Sequence, residues 1–257
     1  MLKAKNISIG YREGTKQSIL LAKDVNLALV PGQLTAVIGP NGSGKSTLLN
    51  TLSGQIAPLS GQIEVDNQAL ISLTHWAQSK YLALVLTKKE FSQHLSVLEF
   101  IELGRIPHTN WLGSLSTEDH QAVQYAVHAT NLSDLIDQKC GTLSDGQMQR
   151  VSIARALAQD TPVILLDEPT THLDLVNKAQ TLKLLRSLAK EHAKAVAYST
   201  HDTELALDLA DQIICVHSGQ IITGNTQDLI DSGVIKEMFH SDLVRFDNKT
   251  RRFSISD

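Results

Sequence analysis

Cysteine is scarce in this chain: Cys140 and Cys215 are the two among 257 residues. They make neither a zinc cluster nor the spaced framework of a disulfide-stapled domain, and both are expected to be small apolar residues of the interior. The 10 histidines lack the i, i+4 spacing or cysteine neighbours of a zinc site. A basic surplus is missing too. The formal charge of −4 gives no positive face for nucleic acid. No apolar run is long enough to cross a bilayer, and MLKAKNISIG lacks the apolar core of a signal peptide, so the chain is expected to stay in the cytosol. Repeats and low-complexity linkers are absent. What is present is 42% hydrophobic content, enough for one sizeable α/β core with a smaller lobe.

The segment GPNGSGKST, comprising Gly39, Pro40, Asn41, Gly42, Ser43, Gly44, Lys45, Ser46 and Thr47, fits G-x-x-x-x-G-K-[ST] and follows the strand-like LTAVI. Its glycines let the backbone turn tightly, so that successive N–H groups face phosphates and the next helix aims its positive end at them. Lys45 is placed to reach the β and γ phosphates, and Ser46 offers a hydroxyl to Mg²⁺, a hard cation that takes few protein oxygens. Further on, Val163 to Leu166 is a short unbroken apolar run, the pattern of a strand buried on both faces of a parallel sheet. It ends in two carboxylates. Asp167 suits the Mg²⁺ shell, while Glu168 points elsewhere, towards the attacking water, as general base.

Between these lies LSDGQ, Leu143 to Gln147. Ser144 and Gln147 form the S-x-x-[EQ] capping box of a helix whose face carries Val151, Ala154, Leu157 and Ala158. With GPNGSGKST and LLDEP on either side, the chain resembles the ATP-binding subunits of ABC transporters from about Ala4 to Asn225. The resemblance implies an α/β P-loop NTPase with an N-terminal antiparallel β subdomain and an inserted helical subdomain near residues 88–159. Residues 226–257 then form a C-terminal extension. It also implies that Ser144, Gly146 and Gln147 read the γ phosphate of an ATP held by a second copy, so that the chain works as a homodimer. THLD looks like the family's D-loop, with Asp174 across the dimer interface. His201 matches the switch histidine that contacts the γ phosphate, and Tyr11 matches the aromatic that stacks on adenine.

Two positions depart from the family pattern. Thr87 stands where a glutamine touches Mg²⁺ and the attacking water; its hydroxyl can hold a metal-bound water, and slowed hydrolysis is expected. Asp145 replaces a glycine. A carboxylate about 4 Å from a phosphate charge costs about 4 kcal/mol at a surface-like dielectric, so Asp145 must face away or be paired. The segment LGRIPH within Ser96–His120 is similar to that of ATPases serving ferric-siderophore, haem and cobalamin importers. This implies ATP-driven import at the cytoplasmic face of the membrane, with permease subunits and, indirectly, an external binding protein as partners. A soluble ABC ATPase scaffold, as in iron–sulfur assembly, is the alternative.

For local structure, alternation predicts strands in LKAKNISIG and AKDVNLALV, and strands at GQIEVDNQAL and up to Thr87. A helix ended by Pro107 and followed by a loop with Trp111 partly exposed is expected. Helices are expected at Leu175–His192 and Thr203–Leu209, and a hairpin turning at Ser218-Gly219. GVIKEMF and FDNKTRRFSI are read as a terminal helix and hairpin.

Overall fold

The computed structural model describes residues 1–13, 17–86, 93–171, 173–239 and 243–255. The two alternating segments become long antiparallel strands, β1 (Leu2–Glu13) and β2 (Gln17–Leu29). Leu2 and Ala4 are buried in alternation, as the period of two dictates, while beyond a register shift Ile7 to Gly10 are buried without a break. The wholly buried β3 (Leu34–Ile38) leads through the glycine-rich segment into α1 (Lys45–Leu52). β4 (Ser60–Val65) and β5 (Gln68–Ala69) then complete an antiparallel sheet of order β2-β1-β4-β5.

After the short α2 (His75–Gln78), β6 (Leu82–Val85) enters a second sheet. It stops before Thr87, which lies outside the described residues. α3 (Val97–Glu102) and α4 (Thr117–Ala129) begin with complete capping boxes, Ser96–Glu99 and Ser116–Asp119, and α5 (Asp145–Ala158) begins with the expected Ser144–Gln147 box. Such boxes satisfy orphan N–H groups that would otherwise stand bare at a helix start. Pro107 does not end an α-helix. The α-helical turns stop at Glu102, and Pro107 sits inside a 3-10 helix, Leu103–His108, before a Trp111 that is 92% exposed.

Strand and helix then alternate through β7 (Val163–Leu166), α6 (Leu175–His192), β8 (Ala195–Ser199) and α7 (Thr203–Leu209). The hairpin of β9 (Gln212–His217) and β10 (Gln220–Gly224) turns at Ser218 and Gly219 as its sequence requires. Two short helices, α8 (Thr226–Asp231) and α9 (Val234–Met238), and the hairpin of β11 (Val244–Asp247) and β12 (Arg252–Ile255) follow.

The second sheet has the order β10-β9-β3-β8-β7-β6, parallel apart from β10. It divides the interior in two. Val37, Val163, Leu165, Ala197 and Ile214 face the antiparallel sheet and α1, while Ile38, Ile164, Leu166, Tyr198 and Ile213 face the helices. Burial on both faces explains why β7 is an unbroken apolar run and why β3 and β8 admit only Thr35, Tyr198 and Ser199 as polar side chains. The carboxyl ends of β3, β8 and β7 are neighbours at one edge, the place where open α/β sheets bind ligands.

Candidate functional site

The phosphate segment leaves β3 at Gly39, whose φ of 156° and near contact with the Val216 carbonyl permit no side chain; a Cβ would stand 2.2 Å from that oxygen. At the start of α1, Gly44 takes a left-handed φ of 107° and supplies no side-chain cap, so the first N–H groups of the helix are left for an anion. Ser43 Oγ is buried without a partner among the described residues, a donor aimed inside the loop. Lys45 is only 6% exposed, and its Nζ donates to the carbonyls of Gly39 (2.9 Å) and Pro40 (3.0 Å). Burial pushes its pKa down, against the pull of Glu168 and Asp167. Asn41 and Ser46 are exposed and Thr47 is half-buried.

Ser46 Oγ donates to Asp167 Oδ1 at 2.9 Å, which joins the phosphate segment to the end of β7. The same carboxylate oxygen accepts from Ser199 Oγ at 2.7 Å. Ser199 Oγ in turn accepts the Glu168 N–H at 2.9 Å. One serine at the end of β8 thus binds the Asp167 carboxylate and the backbone of Glu168. The register pairs Leu166 with Tyr198, which brings the next residues of the two strands side by side. Glu168 has a φ of 47°, uncommon for a residue with a Cβ, so the chain turns sharply between the acids and sends their side chains apart. Its Oε2 accepts from Thr171 Oγ1 at 3.0 Å and lies 3.9 Å from His201 Nδ1.

Ser199 and Thr171 are absent from the sequence-derived set. The signal for both lies in strand pairing and local turn geometry, since a serine in AVAYST gains meaning only when β8 is known to neighbour β7. An oxygen-rich donor set of one hydroxyl and one carboxylate fits Mg²⁺, which takes one or two protein ligands and fills its shell with phosphate and water.

Tyr11 is 44% exposed on β1 opposite Ile19 of β2, two residues from Leu21, whose side chain packs against Gly44. At the other end of the helical region, Ser144 and Gln147 bond to each other: Ser144 N–H donates to Gln147 Oε1 at 2.9 Å, and Gln147 N–H to Ser144 Oγ at 3.3 Å. Gly146 lies against Leu173, and Asp145 is exposed, as its charge requires. Asp174 caps α6, accepting from Asn177 N–H and Nδ2, both at 2.8 Å; the backbone donor holds its carboxyl below the usual range. Thr87 lies outside the described residues.

The arrangement can hold a nucleotide triphosphate with its divalent cation and place a carboxylate where a water could attack. Comparisons with known proteins agree. The chain is 34% identical to the petrobactin import ATP-binding protein FpuD of Bacillus anthracis, over 93% of this chain and 86% of that one. With the cobalamin import ATP-binding protein BtuD of Halobacterium salinarum it shares 35% identity over 86% of this chain and 53% of that protein. A solved structure of a transporter described as metal-chelate type, in an inward-facing conformation, superposes with a TM-score of 0.80 at 29% identity, over 98% of this chain and 94% of that one. A dimeric ATP-binding cassette holding ADP and phosphate after hydrolysis gives a TM-score of 0.76 at 31% identity, over 88% of this chain and 99% of that one. The ABC transporter family profile matches residues 22–171, and with these relatives it shows that the chain belongs to the ABC transporter family of ATP-binding cassettes.

Proposed function

We propose that this chain is the ATP-hydrolysing subunit of an importer for a metal chelate, such as an iron–siderophore or haem, or for cobalamin. It acts as a homodimer at the cytoplasmic face of the membrane, beneath partner permease subunits and, beyond them, an external binding protein. The observation that carries the reading is the division of parts: one chain has one phosphate segment, while Ser144 and Gly146 stand at the start of α5 with their caps satisfied locally. Petrobactin and cobalamin import by the relatives, together with LGRIPH, supports the cargo class.

In this mechanism Lys45 exchanges its carbonyl partners for the β and γ phosphates, and Ser43 and the first amides of α1 add donors. Tyr11 stacks on the adenine. Ser46 and Asp167 would hold Mg²⁺, which neutralises phosphate charge when bound. The second copy closes the site with Ser144 and Gly146, its Gln147 holding the cap and its Asp174 lying at the seam. Glu168, its backbone held by Ser199 and its carboxylate by Thr171, accepts a proton of the attacking water as the water oxygen bonds to the γ phosphorus, while the bond from that phosphorus to the β–γ bridging oxygen breaks and ADP leaves with the electron pair. His201, beside that carboxylate, steadies the γ phosphate. Positioning and electrostatics supply most of the acceleration.

Replacing Glu168 by Gln should lower turnover by about 100-fold or more while trapping an ATP-bound dimer, visible as doubled mass in light scattering with ATP. Undiminished turnover would remove Glu168 from the role. Copurification from detergent-solubilised membranes tests the partner: a polytopic permease supports import, and its consistent absence favours the soluble scaffold.

A further inference from the structure

The segment LGRIPH is a packed joint, and each of its distinctive residues has a structural task. Gly104 passes so close to α5 that a Cβ would stand 2.3 Å from the Arg155 carbonyl oxygen. Arg105 is 6% exposed; its Nε and Nη2 both lie 2.7 Å from Asp119 Oδ1, and its Nη1 donates to the Ala158 carbonyl at 2.7 Å. Asp119 accepts the Ser116 N–H on its other oxygen, so the pair is anchored to the cap of α4. Pro107 is buried, and His108 Nε2 lies 2.9 Å from the Gln159 carbonyl. Gln159 Nε2 continues the chain, donating to Ser79 O at 2.6 Å and Leu82 O at 3.0 Å at the start of β6.

These contacts gather at the carboxyl end of α5. Its other end carries Ser144 and Gly146. We propose that Arg105 is a positioning residue for the ATP site: by gripping the last carbonyl of α5, that of Ala158, it sets the direction in which Ser144 and Gly146 face the second copy's nucleotide. This rests on the reading of LSDGQ given under Proposed function.

The reasoning is one of leverage. A 14-residue helix is about 21 Å long, so a tilt of roughly 5° at the clamped end moves the far end by about 2 Å. That is enough to lose a hydrogen bond. Stability alone accounts poorly for such a clamp, because a buried ion pair is often replaced by apolar residues without loss. What the guanidinium provides is direction. Its planar fork binds a carboxylate and a helix-end carbonyl at once, and a lysine ammonium cannot reproduce that geometry.

The test is Arg105→Lys, with Asp119→Asn as a second variant that breaks the same pair should the first not fold. Three readouts are taken on the full chain: ATP affinity at concentrations where it is monomeric, ATP-driven dimerisation in a Glu168→Gln background, and hydrogen exchange. The expected pattern is ATP affinity within about twofold, a rise of about tenfold in the subunit concentration for half-dimerisation, and faster exchange at 143–150 but not at 39–47. Unchanged dimerisation and unchanged exchange at 143–150 overturn the proposal. So does a general loosening in which exchange rises at both segments and ATP affinity falls with it, since that marks a merely structural pair. If the chain with Arg105 intact does not dimerise with ATP, the reading of LSDGQ falls, and with it the role of Arg105 in facing a second copy.

Discussion

The two ends of the ATP machinery are built on different principles. At the sheet edge, Ser46, Asp167, Ser199, Glu168, Thr171 and His201 form a chain of contacts drawn from three separate stretches of sequence. At the start of α5, Ser144 and Gln147 hold only each other, within four residues of sequence. The first region is finished by folding. The second is finished as a helix and left exposed, which is the form expected of a group whose ligand arrives on another molecule.

The most drastic way to break this comparison is to inactivate the regions separately and mix them. Lys45→Ala removes a charge-assisted phosphate contact, and Ser144→Arg blocks the surface at a cost of about 1 kcal/mol in lost capping. Each variant alone should be nearly without turnover. Equal mixing pairs them at random, so with independent sites about a quarter of the native rate should return from the one intact site in each mixed dimer. A mixture as inactive as its parts would show that one chain completes its own site.

A smaller effect sharpens the account of the finished region. Ser199→Ala removes two hydrogen bonds to the acid pair, so turnover should fall by about tenfold with ATP affinity little changed. Equal losses in affinity and turnover would make Ser199 a general scaffold residue. Steady-state kinetics beside equilibrium nucleotide titration separates the cases.

The smallest effect is one of acid stability in the helical region. Burial of Asp119 opposes its ionisation, but the Ser116 N–H and Arg105 outweigh this and hold its carboxyl below the usual range. A carboxyl with a depressed folded pKa contributes stability above its unfolded value, about 3.9, and loses it as pH falls through the folded one. Urea melts from pH 6 to pH 3 should therefore show native chain and Asp119→Asn converging in acid. A gap independent of pH would mean that the ion pair contributes nothing through ionisation.

Much of the architecture was legible because its signals are local. The alternation of LKAKNISIG, the Ser144–Gln147 box, the span of α6 and the turn at Ser218-Gly219 each rest on a period or a short spacing that the chain satisfies by itself. The role of Ser199 was hidden because it depends on β8 lying beside β7, a fact about sheet order. Pro107 misled for a related reason: it fits inside a 3-10 helix whose course is fixed by the approach of Gly104 to Arg155, and that approach joins residues distant in sequence. The left-handed turn at Glu168 likewise carries no residue signal, since nothing in LLDEP marks a positive φ.

The grip of Lys45 on the carbonyls of Gly39 and Pro40 has a consequence for how affinity should be understood. On the proposed reading, nucleotide does not enter a vacant mould; it competes with the protein's own backbone for the same ammonium, and its affinity is the difference between the two sets of partners. The lysine is then a strut as well as a ligand. Its loss should soften the loop even where no nucleotide is present, and changes in the loop that loosen its carbonyls can tighten binding without touching the phosphates at all.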